Sequence, residues 1–166
     1  FNLSAAYTGL HSHKLRFGVG TQDDDLYRTK ETKNFSLVPI PGGFFPAPLG
    51  SVVDVTDTAP FLRPHSRRVN YVYAQDEWAF AQDWYLTVGV RSDQYSDFGS
   101  TTNPRAALVW ETAYNLTSKL LYGRAFRPPS FSELYIINNP VGLGNPNLKP
   151  ETNESVELAF AWQATS

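Results

Sequence analysis

The sequence predicts an all-β chain, an antiparallel up-and-down meander of seven or eight strands. Three observations carry that reading. Alternation of apolar and polar residues with period 2 recurs along the chain, and no convincing amphipathic helix appears. Short polar connections separate the alternating runs, as hairpins require. The most regular run is 156–163: Val156, Leu158, Phe160 and Trp162 point one way, Glu157, Ala159, Ala161 and Gln163 the other. A soluble sandwich alternates too, because one sheet face commonly meets water. Large apolar residues ending in Trp on one side, with charge and very small residues on the other, are expected where one face meets lipid and the other a polar lumen. The pattern therefore predicts part of a transmembrane β-barrel.

The elements follow in order. Phe1 to Tyr7 reads as the end of a strand. Leu15, Phe17 and Val19 alternate with Lys14, Arg16, Gly18 and Gly20, giving a strand from His13 to about Gln22. Leu26 to Leu37 is a polar, β-compatible partner strand. Pro39 to Pro64 is Pro- and Gly-rich with irregular apolar positions, a long loop of a kind usually functional or disordered. Val72, Ala74, Trp78 and Phe80 oppose Tyr71, Tyr73, Gln75 and Glu77. After Ala81-Gln82-Asp83, Trp84, Leu86, Val88 and Val90 oppose Tyr85, Thr87, Gly89, Arg91 and Asp93. Ser96 to Thr102 is a loop. A strand opens at Asn103-Pro104, where Pro is tolerable near the start. Glu111 to Thr117 turns, and Ser118 to Phe126 returns.

Composition narrows the function classes. The 166 residues contain no Cys, which excludes disulfides and thiolate metal sites. There is no Met either, and Phe1 opens as if mid-strand, so the chain is expected to be an internal piece of a longer polypeptide. A net charge of -2 argues against a nucleic-acid footprint. Catalysis is not expected. The histidines are His11, His13 and His65, and Ser130 in Pro-Ser-Phe lacks the glycines of a nucleophile elbow. His11-x-His13, with no carboxylate nearby in sequence, reads as a polar turn rather than a metal pair. No cofactor or metal site is expected.

Two stretches resemble a known family. Gly123, Phe126, Arg127, Pro129, Ser130, Phe131, Glu133 and Leu134 fit a strand of the type YG-x-x-F-R-x-P-S-F-x-E-L. Gly144 to Thr152 reads GNPNLKPET. Upstream, YVYAQDEW, a short turn and GVRSDQY add a third likeness. The chain thereby resembles the TonB-dependent outer-membrane receptors of the siderophore-receptor type; the motifs span Tyr71 to Trp162, and Phe1 to Asn70 matches only in layout. The resemblance implies a piece of a barrel of about 22 strands around a plugged lumen, with residues 1–166 all barrel and the plug and C-terminal strand outside. It implies an outer-membrane location in a Gram-negative bacterium. It also implies import of a ferric siderophore or similar chelate, haem or cobalamin, coupled through TonB by parts outside this stretch. A soluble β-sandwich or small-barrel binding module is the alternative.

On that reading Arg91, Arg105, Arg124 and Arg127, with Glu77, Asp93, Glu111 and Glu157, form a lumen-side charge lattice; Arg124 shares the parity of Leu120 and Tyr122, leaving its side open. Val72, Leu86, Val88, Leu108, Val156, Leu158 and Phe160 form one apolar face. It meets lipid in the parent, and in isolation it is expected to pack sheet on sheet or to self-associate. Arg63, His65, Arg67, Arg68, Arg127 and Tyr135 are expected near the outer rim, where cationic and aromatic groups suit an anionic chelate.

Overall fold

The computed structural model describes residues 1–36, 46–113 and 115–164. Seven strands build one antiparallel sheet in the order β1-β2-β5-β6-β7-β8-β9. They are β1 (Asn2–Tyr7), β2 (His13–Leu26), β5 (His65–Ala81), β6 (Trp84–Tyr95), β7 (Gly99–Ala113), β8 (Leu116–Arg127) and β9 (Glu151–Trp162). Strands β3 (Thr32–Ser36) and β4 (Ala47–Asp54) pair as a separate hairpin, and one short helix, α1, spans Phe131–Tyr135. The chain divides into two compact units: residues 1–22, 68–127 and 150–166, which carry most of the large sheet, and residues 23–67 with 128–149.

The register settles the faces. Trp78, Leu86, Leu108, Leu120 and Leu158 form one cross-strand row. One step along, Glu77, Thr87, Ala107, Leu121 and Glu157 form the next row on the other side, because successive side chains alternate. Val72, Val88, Leu120, Val156, Leu158 and Phe160 are exposed. Among the described residues no second sheet layer covers them, as a soluble sandwich would require, and the apolar side is an open surface. Few residues are deeply buried, as a single-layer wall demands.

Several boundaries differ from the sequence reading. β2 runs to Leu26 instead of ending near Gln22. The partner strand expected over Leu26 to Leu37 is only Thr32–Ser36, and it pairs with β4 rather than β2. Within the loop expected from Pro39 to Pro64, residues 39–45 lie outside the described residues and Ala47–Asp54 is a strand. Gly50 adopts φ 75° there and interrupts the pattern that would have announced it. The Ser96 to Thr102 loop shrinks to 96–98, since β7 starts at Gly99. β7 extends to Ala113 and β8 begins at Leu116, so both strands reach into the turn expected over Glu111 to Thr117. Strand character ends at Arg127, and Phe131–Tyr135 forms a helix capped by Ser130.

Connections alternate ends, as a meander must. The β5–β6 and β7–β8 turns share one end, joined there by the β1–β2 turn, whose Ser12 carbonyl accepts from the Ala79 amide at 2.9 Å. At the opposite end lie the β6–β7 turn and the points where the chain leaves β2 and β8 and re-enters at β5 and β9.

Candidate functional site: an aromatic belt, a charged wall and a cationic loop cluster

At the tight-turn end, the apolar face carries a run of rings. His13 stacks on Trp78 at 5.2 Å, Trp78 meets Phe80 at 5.3 Å, Phe80 meets Trp84 at 6.0 Å, and Trp84 stacks on Trp110 at 5.4 Å. Amphipathic rings aligned at one edge of an apolar band are what a membrane interface selects. Asp76 has the parity of this face and breaks its apolar pattern; His13 Nδ1 lies 2.7 Å from its Oδ2. The carboxylate absent near His13 in sequence is thus supplied from 63 residues away, and it engages that ring nitrogen.

The opposite face is polar. Glu77, Arg91, Asp93, Arg105, Glu111, Arg127 and Glu157 all share it by register. Arg124 does not: it pairs with Glu154 on the parity of Leu120 and Tyr122, its Nε 3.7 Å from Glu154 Oε1. The expected lattice forms in part. Arg91 holds the buried Asp93 at 2.6 Å within one strand and lies over the Tyr71 ring. Arg127 grips Glu151 across β8 and β9 with two hydrogen bonds of 2.9 and 3.0 Å. Arg105 instead donates to the Gln75 amide oxygen. Gly18 and Gly20 leave room on this face for the rings of Tyr73 and Tyr71.

The second unit contains the cationic and aromatic cluster. Ser130 caps α1: its hydroxyl accepts from the Glu133 amide at 3.2 Å, while Glu133 Oε2 accepts from the Ser130 amide at 2.7 Å. This reciprocal box fixes a helix too short to persist by itself. Leu134 anchors it, 1% exposed. Gly144 crosses so close that a Cβ would sit 2.6 Å from Ile136 N and the Leu134 carbonyl, so only glycine fits. The helix then presents Phe131 and Tyr135. His65 stacks on Tyr135 at 4.0 Å, and Arg67 lies over Phe131 at 4.9 Å. His65 Nδ1 donates to the Arg63 carbonyl at 2.8 Å, which leaves Nε2 as the acceptor of the neutral ring.

The six rim residues are divided between the two units. Arg63, His65, Arg67 and Tyr135 lie in this unit, with His65, Arg67 and Tyr135 gathered around α1; Arg68 and Arg127 belong to the large sheet. Arg67 is 6% exposed and donates to the Pro129 carbonyl at 2.8 Å, so it props the helix. Arg68 is exposed, its amide bound to Ser96 Oγ. Arg63 is exposed and lines a polar cleft of about 240 Å³ together with Arg28, Thr29, Thr56 and Asp57. Sequence reasoning passed over Phe131 as a packing partner and Arg28 as a cleft residue. Ser130-x-x-Glu133 was the readable signal for the helix; Arg28 had none.

A single-layer sheet with an apolar outer face, an aromatic belt and a charged inner face is the wall of a membrane barrel. The whole chain, residues 1–166, matches the TonB dependent receptor-like β-barrel family, and it belongs to that family. It is thus a length of outer-membrane receptor barrel, a class that is not enzymatic. It is 32% identical over 122 residues to the iron-regulated outer membrane virulence protein of Vibrio cholerae, covering 70% of this chain and 19% of that one. It is 34% identical over 110 residues to the vitamin B12 transporter BtuB of Vibrio cholerae, covering 66% and 16%. The siderophore receptor PirA of Acinetobacter baumannii superposes with a TM-score of 0.71 at 18% identity, covering 98% of this chain and 24% of that structure. The ferric enterobactin receptor PfeA of Pseudomonas aeruginosa gives 0.69 at 19%, with the same coverage. The chain spans roughly a sixth to a fifth of these curated relatives' length.

Proposed function

We propose that residues 1–166 are entirely barrel domain and supply wall, lumen lining and outward loops to a receptor that imports a ferric siderophore, with energy delivered through TonB. The wall itself carries this reading: an exposed apolar face backed by a charged one separates lipid from water and has no other evident use. Relatives named for iron regulation and siderophore reception support the substrate class. For ligand contact the reading relies on Arg63, His65 and Tyr135, with Arg68 and Arg127 at strand ends and Arg67 holding the α1 scaffold. Guanidinium groups suit an anionic chelate, and stacked rings suit its aromatic or planar parts.

The test is uptake of labelled ferric siderophore by cells carrying the intact receptor, with and without TonB. Arg63→Ala should weaken ligand affinity about tenfold, the scale of one charge-assisted contact. Wild-type uptake without TonB, or wild-type affinity in Arg63→Ala, would defeat the respective part. The similarity to a vitamin B12 transporter favours cobalamin as the second reading; labelled cobalamin in the same assay decides between them.

A further inference from the structure

Among the described residues, two arginines of the polar face have no acidic partner. Arg16 on β2 and Arg105 on β7 both border a cleft of about 410 Å³ between them. Register aligns Gln75, Gly89, Arg105 and Gly123 across four strands. Tyr73 packs on Gly18, and Arg16, two residues along the same face of β2, lines the cleft together with Gln75. Among the described residues no carboxylate lines the cleft. Arg91 and Arg124 also line it, and each already has an acidic partner, Asp93 and Glu154 respectively. Gly89 matters sterically: a Cβ there would stand 3.2 Å from Arg105 Nε, so its absence lets the guanidinium lie low over the sheet.

We propose that Arg16 and Arg105 form an anion subsite on this wall, for a small multiply charged oxyanion such as a di- or tricarboxylate or phosphate. Gln75 orients the Arg105 fork through its amide oxygen, leaving guanidinium N–H groups for the anion. The site is independent of the loop cluster and of which chelate is imported.

Calorimetric titration of the intact receptor at low ionic strength, with citrate and separately with inorganic phosphate, tests it. Saturable binding of at least one anion is expected, citrate alone marking a carboxylate site and phosphate alone a phosphate site. Arg16→Gln and Arg105→Gln should each weaken it about tenfold. Lys14→Gln removes a charge two residues along the same face and should leave affinity within about twofold; Arg105→Lys should fall between, keeping charge but losing the fork. Resistance of the barrel to unfolding on gels verifies that each variant is folded. No saturable binding, or equal weakening in Lys14→Gln and Arg105→Gln, overturns the assignment.

Discussion

The ring of Tyr73 lies directly over Gly18, close enough that a β-carbon at position 18 would overlap its edge. The two residues sit on neighbouring strands of the polar face, and the aromatic ring fills the space the glycine leaves. Gly18→Val should displace that ring and destabilise the barrel by about 1–3 kcal/mol. Gly123→Ala should be nearly silent, because the nearest atom to its added carbon is Ser155 Oγ at 4.0 Å. Urea midpoints of the intact receptor distinguish the two.

Leu158 lies in the cross-strand apolar row and is 60% exposed. Leu158→Arg should cost about 2–4 kcal/mol in a bilayer, whereas Glu157→Gln, one residue along and facing the other way, should cost far less. Folding into lipid vesicles measures both. Equal costs would mean that the faces are reversed.

The α1 cap sets the geometry of Phe131 and Tyr135. Ser130→Ala removes an acceptor and should cost about 1 kcal/mol locally. The expected readout is faster proteolysis within residues 128–149 and weaker ligand binding, with unchanged resistance of the barrel itself.

Acid should loosen the β3–β4 hairpin at its base. The Thr56 amide donates to Asp54 Oδ1 at 3.0 Å, and this hydrogen bond, with help from Lys30, holds the Asp54 carboxyl below its usual value of 3.8. A depressed carboxyl pKa contributes stability that is present above 3.8 and lost as pH falls through the folded-state value. Hydrogen exchange at the Thr56 amide should quicken over that window, and Asp54→Asn should flatten the dependence.

Lys33 predicts the opposite end of the scale. It is 4% exposed, donates to the Ala59 carbonyl and packs over Phe61 at 3.7 Å; burial pushes its pKa below 10.5, with Glu31 opposing. The folded state therefore binds fewer protons between the lowered value and 10.5, so local stability rises with pH across that window. Lys33→Met should abolish the rise, as read by hydrogen exchange in the hairpin.

Legibility in the sequence followed periodicity. Both faces of β5, β6 and β9 could be read from alternation alone, because a side chain's face depends only on its parity, whereas Arg124 on β8 needed the register to place it. What periodicity lacks is partner choice and anything built from turns. β4 hid behind Pro46, Pro48 and Gly50, and nothing local announced that β3 would pair with it. Asp76 could not be explained until the register brought His13 beside it. Arg67 looked like a ligand contact because charge is visible in sequence, while the Phe131 ring and Pro129 carbonyl that occupy it are not. Glu133 belongs to the family motif, and its spacing from Ser130 by itself spells a helix start.

β2 and β5 are neighbours in the sheet although the chain between them makes an entire hairpin and returns. Their adjacency is fixed by backbone pairing at the wall, and nothing in that pairing depends on how many residues intervene. The excursion is thus free to lengthen, shorten or change chemistry while the strands on either side stay in register. A wall of this kind separates inheritance from innovation: descendants can retain one membrane-spanning frame and rewrite the excursion it carries.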